Sequence, residues 1–61
     1  MTFTFSEKLA CVERELKMRK KVYPRWTVSG NMTEDQATRE TALMEEIVAD
    51  YRAMSERERL L

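Results

Sequence analysis

The 61-residue chain contains no histidine, and this absence bears on most kinds of catalysis. Histidine is the side chain most often used for general acid and base catalysis near neutral pH. The single cysteine, Cys11, has no partner for an intrachain disulfide, no histidine to activate it and no second ligand type for zinc. We therefore expect no catalytic residues, no metal site and no cofactor, and we expect Cys11 to be a small buried apolar residue.

Long hydrophobic runs and a charge excess of either sign are also missing. No apolar run approaches the roughly 20 residues needed to span a bilayer, and the first residues lack the basic and apolar regions of a secretory signal. Eleven basic and eleven acidic residues cancel, so no global field attracts a nucleic acid or an anionic membrane. These features predict a soluble, cytoplasmic protein with no membrane contact and no preference for long polyanions.

Glycine and proline occur once each, while 36% of the residues are charged and 43% are hydrophobic, a balance typical of long helices. Thr4 and Ser6 compete as the first N-cap, and Thr33 with Gln36 has the spacing of a second capping box. Pro24 disfavours helix at the preceding residue and is expected to end the first helix near there. The sequence predicts an all-α, antiparallel two-helix hairpin in a single domain, 1–61, with an N-terminal arm at 1–5, helices at about 6–23 and 34–58, and a connecting loop at 24–33.

Each predicted helix carries one stripe of residues spaced three and four apart, as in a packed seam. Laying the stripes antiparallel gives six layers: Tyr23 with Ala37, Arg19 with Glu40, Leu16 with Met44, Val12 with Ile47, Leu9 with Tyr51, and Phe5 with Met54. Arg19 and Glu40 are the charged members of these stripes and share one layer. A charge within a seam is tolerated when it is paired, so we expect Arg19 and Glu40 to form a salt bridge, within one chain or across subunits, or to hold a ligand jointly.

Further apolar residues lie outside this seam. Cys11, Met18 and Val22 form a second stripe on the first helix, and Leu43 widens the stripe of the second. A chain of this length also buries only a modest fraction of its surface as a monomer. We therefore expect a homo-oligomer, most simply a dimer of hairpins forming a four-helix bundle, with higher assemblies left open.

A basic segment, residues 17–26, precedes an acidic second helix and contains no carboxylate. Its cations could bind phosphate or carboxylate, and its aromatic side chains could stack on a base. The ligand-binding residues predicted from this pattern are Arg19, Lys20, Tyr23, Arg25 and Trp26, with Arg39 nearby. The alternative is structural: cations stabilise the C-terminal end of a helix, and Trp26 plugs the open end of the hairpin.

Three stretches of the chain resemble a group of short proteins encoded in bacteriophage and prophage genomes, mostly without assigned function. These stretches run from Lys8 to Arg19, from Val22 to Trp26 and from Leu43 to Tyr51, and Val-Tyr-Pro-Arg-Trp is the most distinctive part. The resemblance implies a phage accessory role in an infected or lysogenic bacterial cell, and it assigns no functional residue. Small helical phage proteins that counter host defences offer an analogy based on size and genome context.

Three functions are consistent with these observations. The first is a non-enzymatic oligomeric sponge that sequesters a small phosphorylated ligand, such as a nucleotide immune signal. The second is a protein-interaction module that inhibits or adapts a host protein through exposed apolar faces, which would leave a large apolar patch uncovered. The third and weakest is a nucleic-acid adaptor, which the neutral net charge and the acidic second helix disfavour.

Overall fold

Two long helices form the molecule, and each begins at a capping box. The computed structural model describes residues 2–60 and contains helix α1 (Phe5–Ser29) and helix α2 (Glu34–Leu60). The Glu7 backbone N–H donates to Thr4 Oγ1 and the Thr4 N–H donates to Glu7 Oε1, both at 3.1 Å, so Thr4 and not Ser6 is the first N-cap. Thr33 and Gln36 exchange the same two bonds, at 2.9 and 3.1 Å. Both predicted capping boxes are confirmed.

The helices pack against each other along their length as an antiparallel hairpin, which confirms the predicted all-α class. Contacts at the two ends of the hairpin show the direction. Near its open end the Phe5 N–H donates to the Glu58 carboxylate, at 3.1 Å to Oε1, and near the loop Lys20 lies 3.7 Å from Glu45. Neither α1 nor α2 is both long and apolar enough to cross a bilayer.

Pro24 lies inside α1 and does not end it, so the predicted helix end near Tyr23 and the predicted loop at 24–33 were wrong. The helix continues to Ser29, and Gly30 terminates it in the left-handed conformation with φ 83°. Pro24 has no backbone N–H to donate to the carbonyl of Lys20, four residues earlier. Both residues are exposed, so water can donate a hydrogen bond to that carbonyl instead. Packing of Tyr23 and Thr27 on either side of it keeps this segment helical, and tertiary contacts override the local preference.

We expect the Pro24→Ala variant to be more stable than the natural chain. Alanine restores the missing N–H and removes the ring from the helix interior, which should raise the free energy of unfolding by about 1–3 kcal/mol. Urea denaturation followed by circular dichroism at one protein concentration measures the change. Arg25→Ala, at the next and equally exposed position, is the control and should shift stability by less than about 0.5 kcal/mol. A loss of stability in Pro24→Ala would show that the hairpin requires the proline.

The seam of α1 is the predicted one, whereas half of the α2 seam differs. On α1, Tyr23 is buried and the other predicted seam residues are half-buried. On α2 the prediction holds at three positions, while Glu40, Ile47 and Met54 are exposed. The α2 residues that are buried or half-buried at helical spacing are Ala37, Thr41, Met44, Val48, Tyr51 and Ser55. The seam therefore uses Thr41, Val48 and Ser55 in place of three larger or charged side chains.

The register of the two helices also differs from the predicted one. In an antiparallel hairpin, residues equidistant from the centre of the loop lie at the same level. The loop comprises only residues 30–33, so Phe5 comes level with Glu58, about one helical turn beyond Met54, its predicted partner. The Ser6 and Ser55 hydroxyls lie 2.8 Å apart, which requires Ser55 to face α1. Short hydroxyl side chains at Thr41 and Ser55 also allow the two backbones to approach closely.

The resulting core is thin. Among residues 2–60, Tyr23 and Val48 are the only hydrophobic residues classed as buried, with 8% and 5% of their surfaces exposed. Many large apolar side chains remain in contact with solvent: Phe3, Met18, Trp26, Val28, Leu43, Ile47, Met54 and Leu60. Because exposed apolar side chains that lie close together can mark an interaction site, their positions on the surface bear on function.

Candidate functional site

Arg19 does not form the predicted pair with Glu40. Its guanidinium lies 3.0 Å from the Glu15 carboxylate, one turn earlier on the same helix, and both side chains are substantially exposed. Counting outward from the centre of the loop, Met44 is the residue of α2 that lies level with Arg19. Glu40 lies outside the seam. The predicted salt bridge within one chain is therefore wrong, because Arg19 finds a carboxylate on its own helix surface at the favourable i,i+4 spacing.

The structure separates the other predicted ligand-binding residues as well. Lys20 faces Glu45 across the hairpin, and Tyr23 is a core residue whose ring lies 5.8 Å from that of Trp26. Arg25 and Arg39 are exposed, and helical periodicity places each about 160° from the seam of its own helix, on opposite outer sides of the hairpin. Within one chain the six residues do not converge on a ligand, and small-anion binding stays a prediction.

An open groove near the loop is poorly suited to binding an anion. Its volume is about 710 Å³, and Lys20, Tyr23 and Thr27 from α1 line one side. Glu34 and Glu45 line the same groove, and Glu45 already neutralises Lys20. A phosphate entering this groove would meet more carboxylate than free cation.

Five of the exposed apolar side chains lie on one side of the hairpin, and together with the half-buried Val22 they form what we call the apolar face. Exposure of the five ranges from 40% for Ile47 and Met54 to 59% for Met18, and Phe3, Val28 and Leu60 are not part of this face. The apolar face consists of Met18, Val22 and Trp26 on α1 and Leu43, Ile47 and Met54 on α2. Cys11 lies on the same stripe of α1 and is exposed, so the expectation that it is buried was wrong. It falls beside the seam because that seam runs through Leu9 and Val12.

Two ion pairs between the helices show that the two halves of the apolar face share one side of the hairpin. The pairs are Glu13 with Arg52, at 3.1 Å, and Lys20 with Glu45, at 3.7 Å. At 100° per residue, each of these four side chains is rotated about 60–80° from the seam of its own helix, and the rotation has the same sense on both helices. In an antiparallel pair, side chains rotated in the same sense lie on the same side of the hairpin, so these four meet along one edge. The apolar face residues lie to the other rotational side on both helices. They therefore lie on the opposite side of the hairpin, with Trp26 and Ile47 about 60–80° from their seams and Met18 and Leu43 about 120–140° from theirs.

Charge is unevenly divided across the apolar face. On α2, Glu40 and Glu58 lie about 60° from the seam and Asp50 about 140°, while the cations nearest this stripe, Arg39 and Arg57, lie about 160° from the seam. The stripe on α1 includes Lys8 and, at its border with the seam, Arg19, together with the single acid Glu15. One half of the surface is therefore apolar and acidic, and the other half is apolar with a basic border.

Comparison with protein-family models, curated proteins and solved structures found no significant match. The sequence had indicated the surplus apolar stripes on both helices. It did not indicate that Ile47 and Met54 belong to them, because hydrophobicity alone favours these two residues as seam positions.

Proposed function

We propose that this chain is a non-enzymatic protein-interaction module that docks helices of another chain onto its apolar face. The observation that carries the proposal is that exposed large apolar side chains of both helices lie on one side of the hairpin. Isolated exposed apolar residues are common on soluble proteins, but several large ones on the same side of two packed helices are typical of an interaction site. A groove between two helices accepts a third helix by the same packing that joins the first two.

The size of the molecule supports this role. The hairpin measures 46 × 19 × 16 Å, so a broad side has a footprint of about 870 Å². A standard protein interface buries about 800 Å² on each partner. The side that carries the apolar face is therefore large enough for a specific complex. The resemblance to short phage proteins suggests an accessory setting in which docking alone, without chemistry, would be useful.

Photo-crosslinking tests the proposal in cells of the natural source. A benzophenone amino acid replaces Ile47 on the apolar face or, as the matched control, Ala49 on the outer surface of the same helix. We expect discrete crosslinked products from position 47 and none above background from position 49, because only the first lies at the docking surface. Mass spectrometry of each product identifies the chain captured.

Equal crosslinking from the two positions, or none from either, would contradict the proposal. A product from position 47 supports it whether the captured chain is a second copy or a different protein. The variants must retain the helical circular dichroism spectrum of the natural chain, so that crosslinking reports docking and not unfolding.

A further inference from the structure

We propose that the occupant of the apolar face is a second copy of this chain, placed with both loops at the same end. In this arrangement α1 of each copy lies on α2 of the other, and Arg19 of each copy pairs with Glu40 of the other. The inference rests on the proposed function, since it names the partner that the apolar face docks. It also assigns the two charged residues of the predicted seam to an interface between chains.

The uneven charge on the apolar face is the first argument. A two-fold dimer that stacks the two faces with parallel loops sets the α1 stripe, with Lys8 and Arg19, against the acidic α2 stripe of the second copy. A dimer with its loops at opposite ends instead stacks α2 on α2. Centred on residue 47, the middle of α2, that arrangement would set Glu40 of one copy level with Met54 of the other and about 6 Å along the axis from Asp50, so acidic residues of the two copies would approach each other.

Distances along the hairpin favour the pairing of Arg19 with Glu40. Arg19 is level with Met44, and Glu40 lies one helical turn, about 6 Å, nearer the loop, which is within reach of an arginine side chain. The same stacking sets Leu43 of one copy within about 3 Å of the level of Val22 of the other, and Ile47 within about 3 Å of the level of Met18. Apolar side chains then meet apolar side chains.

Exposure is the second argument. Arg19 is held at the border of the seam by Glu15, and its side chain retains 38% exposure. A guanidinium can accept a second carboxylate while keeping the first, because it carries five N–H donors. Glu40 is exposed and has no ion pair within residues 2–60, so its carboxylate is available to another chain.

The thin core is the third argument. With two buried hydrophobic residues in the described chain, a monomer has little apolar burial to offset its conformational entropy. A footprint of about 870 Å² approaches the area per partner of standard interfaces, so a second copy of equal size can cover it. Self-pairing would supply the burial that one hairpin lacks.

Charge reversal tests both the partner and its orientation. Sedimentation velocity over a dilution series should show a dimer for the natural chain, and Arg19→Glu and Glu40→Arg should each weaken dimerisation at least about tenfold, since each places like charges at two symmetric contacts. The double variant R19E/E40R should recover to within about threefold of the natural chain. An equimolar mixture of the two single variants should form a heterodimer, because every contact is again complementary.

Lys17→Glu is the control, since it makes the same charge change as Arg19→Glu on the outer surface of α1 and should leave dimerisation unchanged. Circular dichroism checks that Arg19→Glu, which also loses the bond to Glu15, remains helical. A monomeric natural chain would overturn the inference, as would a dimer that Glu40→Arg does not weaken. In either case crosslinking of position 47 to a different protein would still support the proposed function.

Discussion

Tyr23→Ala is expected to lower the free energy of unfolding by about 3–5 kcal/mol at 25 °C. Tyr23 is the largest buried side chain of the described residues, and it packs in the seam and against the ring of Trp26. Truncation of a buried aromatic residue costs about 3–5 kcal/mol, and a domain of this length has a total stability of only about 3–9 kcal/mol. Circular dichroism at 222 nm and urea titration measure the loss.

A conservative replacement separates the structural role of Tyr23 from the predicted ligand-binding role. Tyr23→Phe keeps the ring, and its free energy of unfolding should remain within about 1 kcal/mol of that of the natural chain. The reason is that the Tyr23 hydroxyl makes no hydrogen bond to another residue within 2–60. If Tyr23→Ala folds as stably as the natural chain, Tyr23 does not hold the hairpin together.

Val48→Asp is expected to be about as damaging, and its effect should depend on pH. Val48 has 5% of its surface exposed in the middle of the α2 seam. A carboxylate there loses hydration, and Arg52, one turn later on α2, already pairs with Glu13, so we expect a loss of at least about 3 kcal/mol at pH 7. Burial disfavours the charged form and so raises the pKa of the introduced aspartate above its usual value of about 3.9.

The sign of the pH effect follows from that raised pKa. The folded state then binds a proton more tightly than the unfolded state, so the stability lost to the substitution grows as pH rises through the folded-state pKa. The difference from the natural chain should therefore be smaller near pH 4 than at pH 7. Chemical denaturation of both chains at each pH measures it.

Val28→Asp is the matched control, because it makes the same substitution at a residue that is 90% exposed. It lies near the C-terminal end of α1, where a negative charge interacts unfavourably with the helix dipole, at a cost below about 1 kcal/mol. Equal losses in the two variants, or a Val48→Asp deficit that does not change with pH, would contradict the packing of Val48 between the helices.

The two candidate sites differ in how far the sequence could predict them. The basic segment could be recognised in the sequence as a run of cations. Consecutive residues of a helix point in different directions, however, so such a run does not form one site. In the structure Lys20 and Arg25, and Arg39 of the second helix, lie on different sides of the hairpin. The apolar face was visible only in part. Its α1 half was indicated by Met18 and Val22, while its α2 half became identifiable once the register was known.

Local interactions made the helix starts predictable. Thr4 and Thr33 cap α1 and α2 through bonds to residues three positions later, and such bonds depend on neighbours in the chain alone. The α1 seam was predictable for a similar reason, since its apolar residues occupy one stripe with few competitors.

Contacts between the helices decided the rest. Pro24 is a local signal to stop, yet α1 continues because Tyr23 and Thr27 on either side of it pack in the seam. The short loop that results moves α2 by about one turn against α1, and the packing of the two helices places Val48 inward and Ile47 outward. Caps and periodicity are properties of consecutive residues, whereas register depends on where both helices end. The chain alone therefore specified two amphipathic helices, and their packing determined which of the apolar stripes was left exposed.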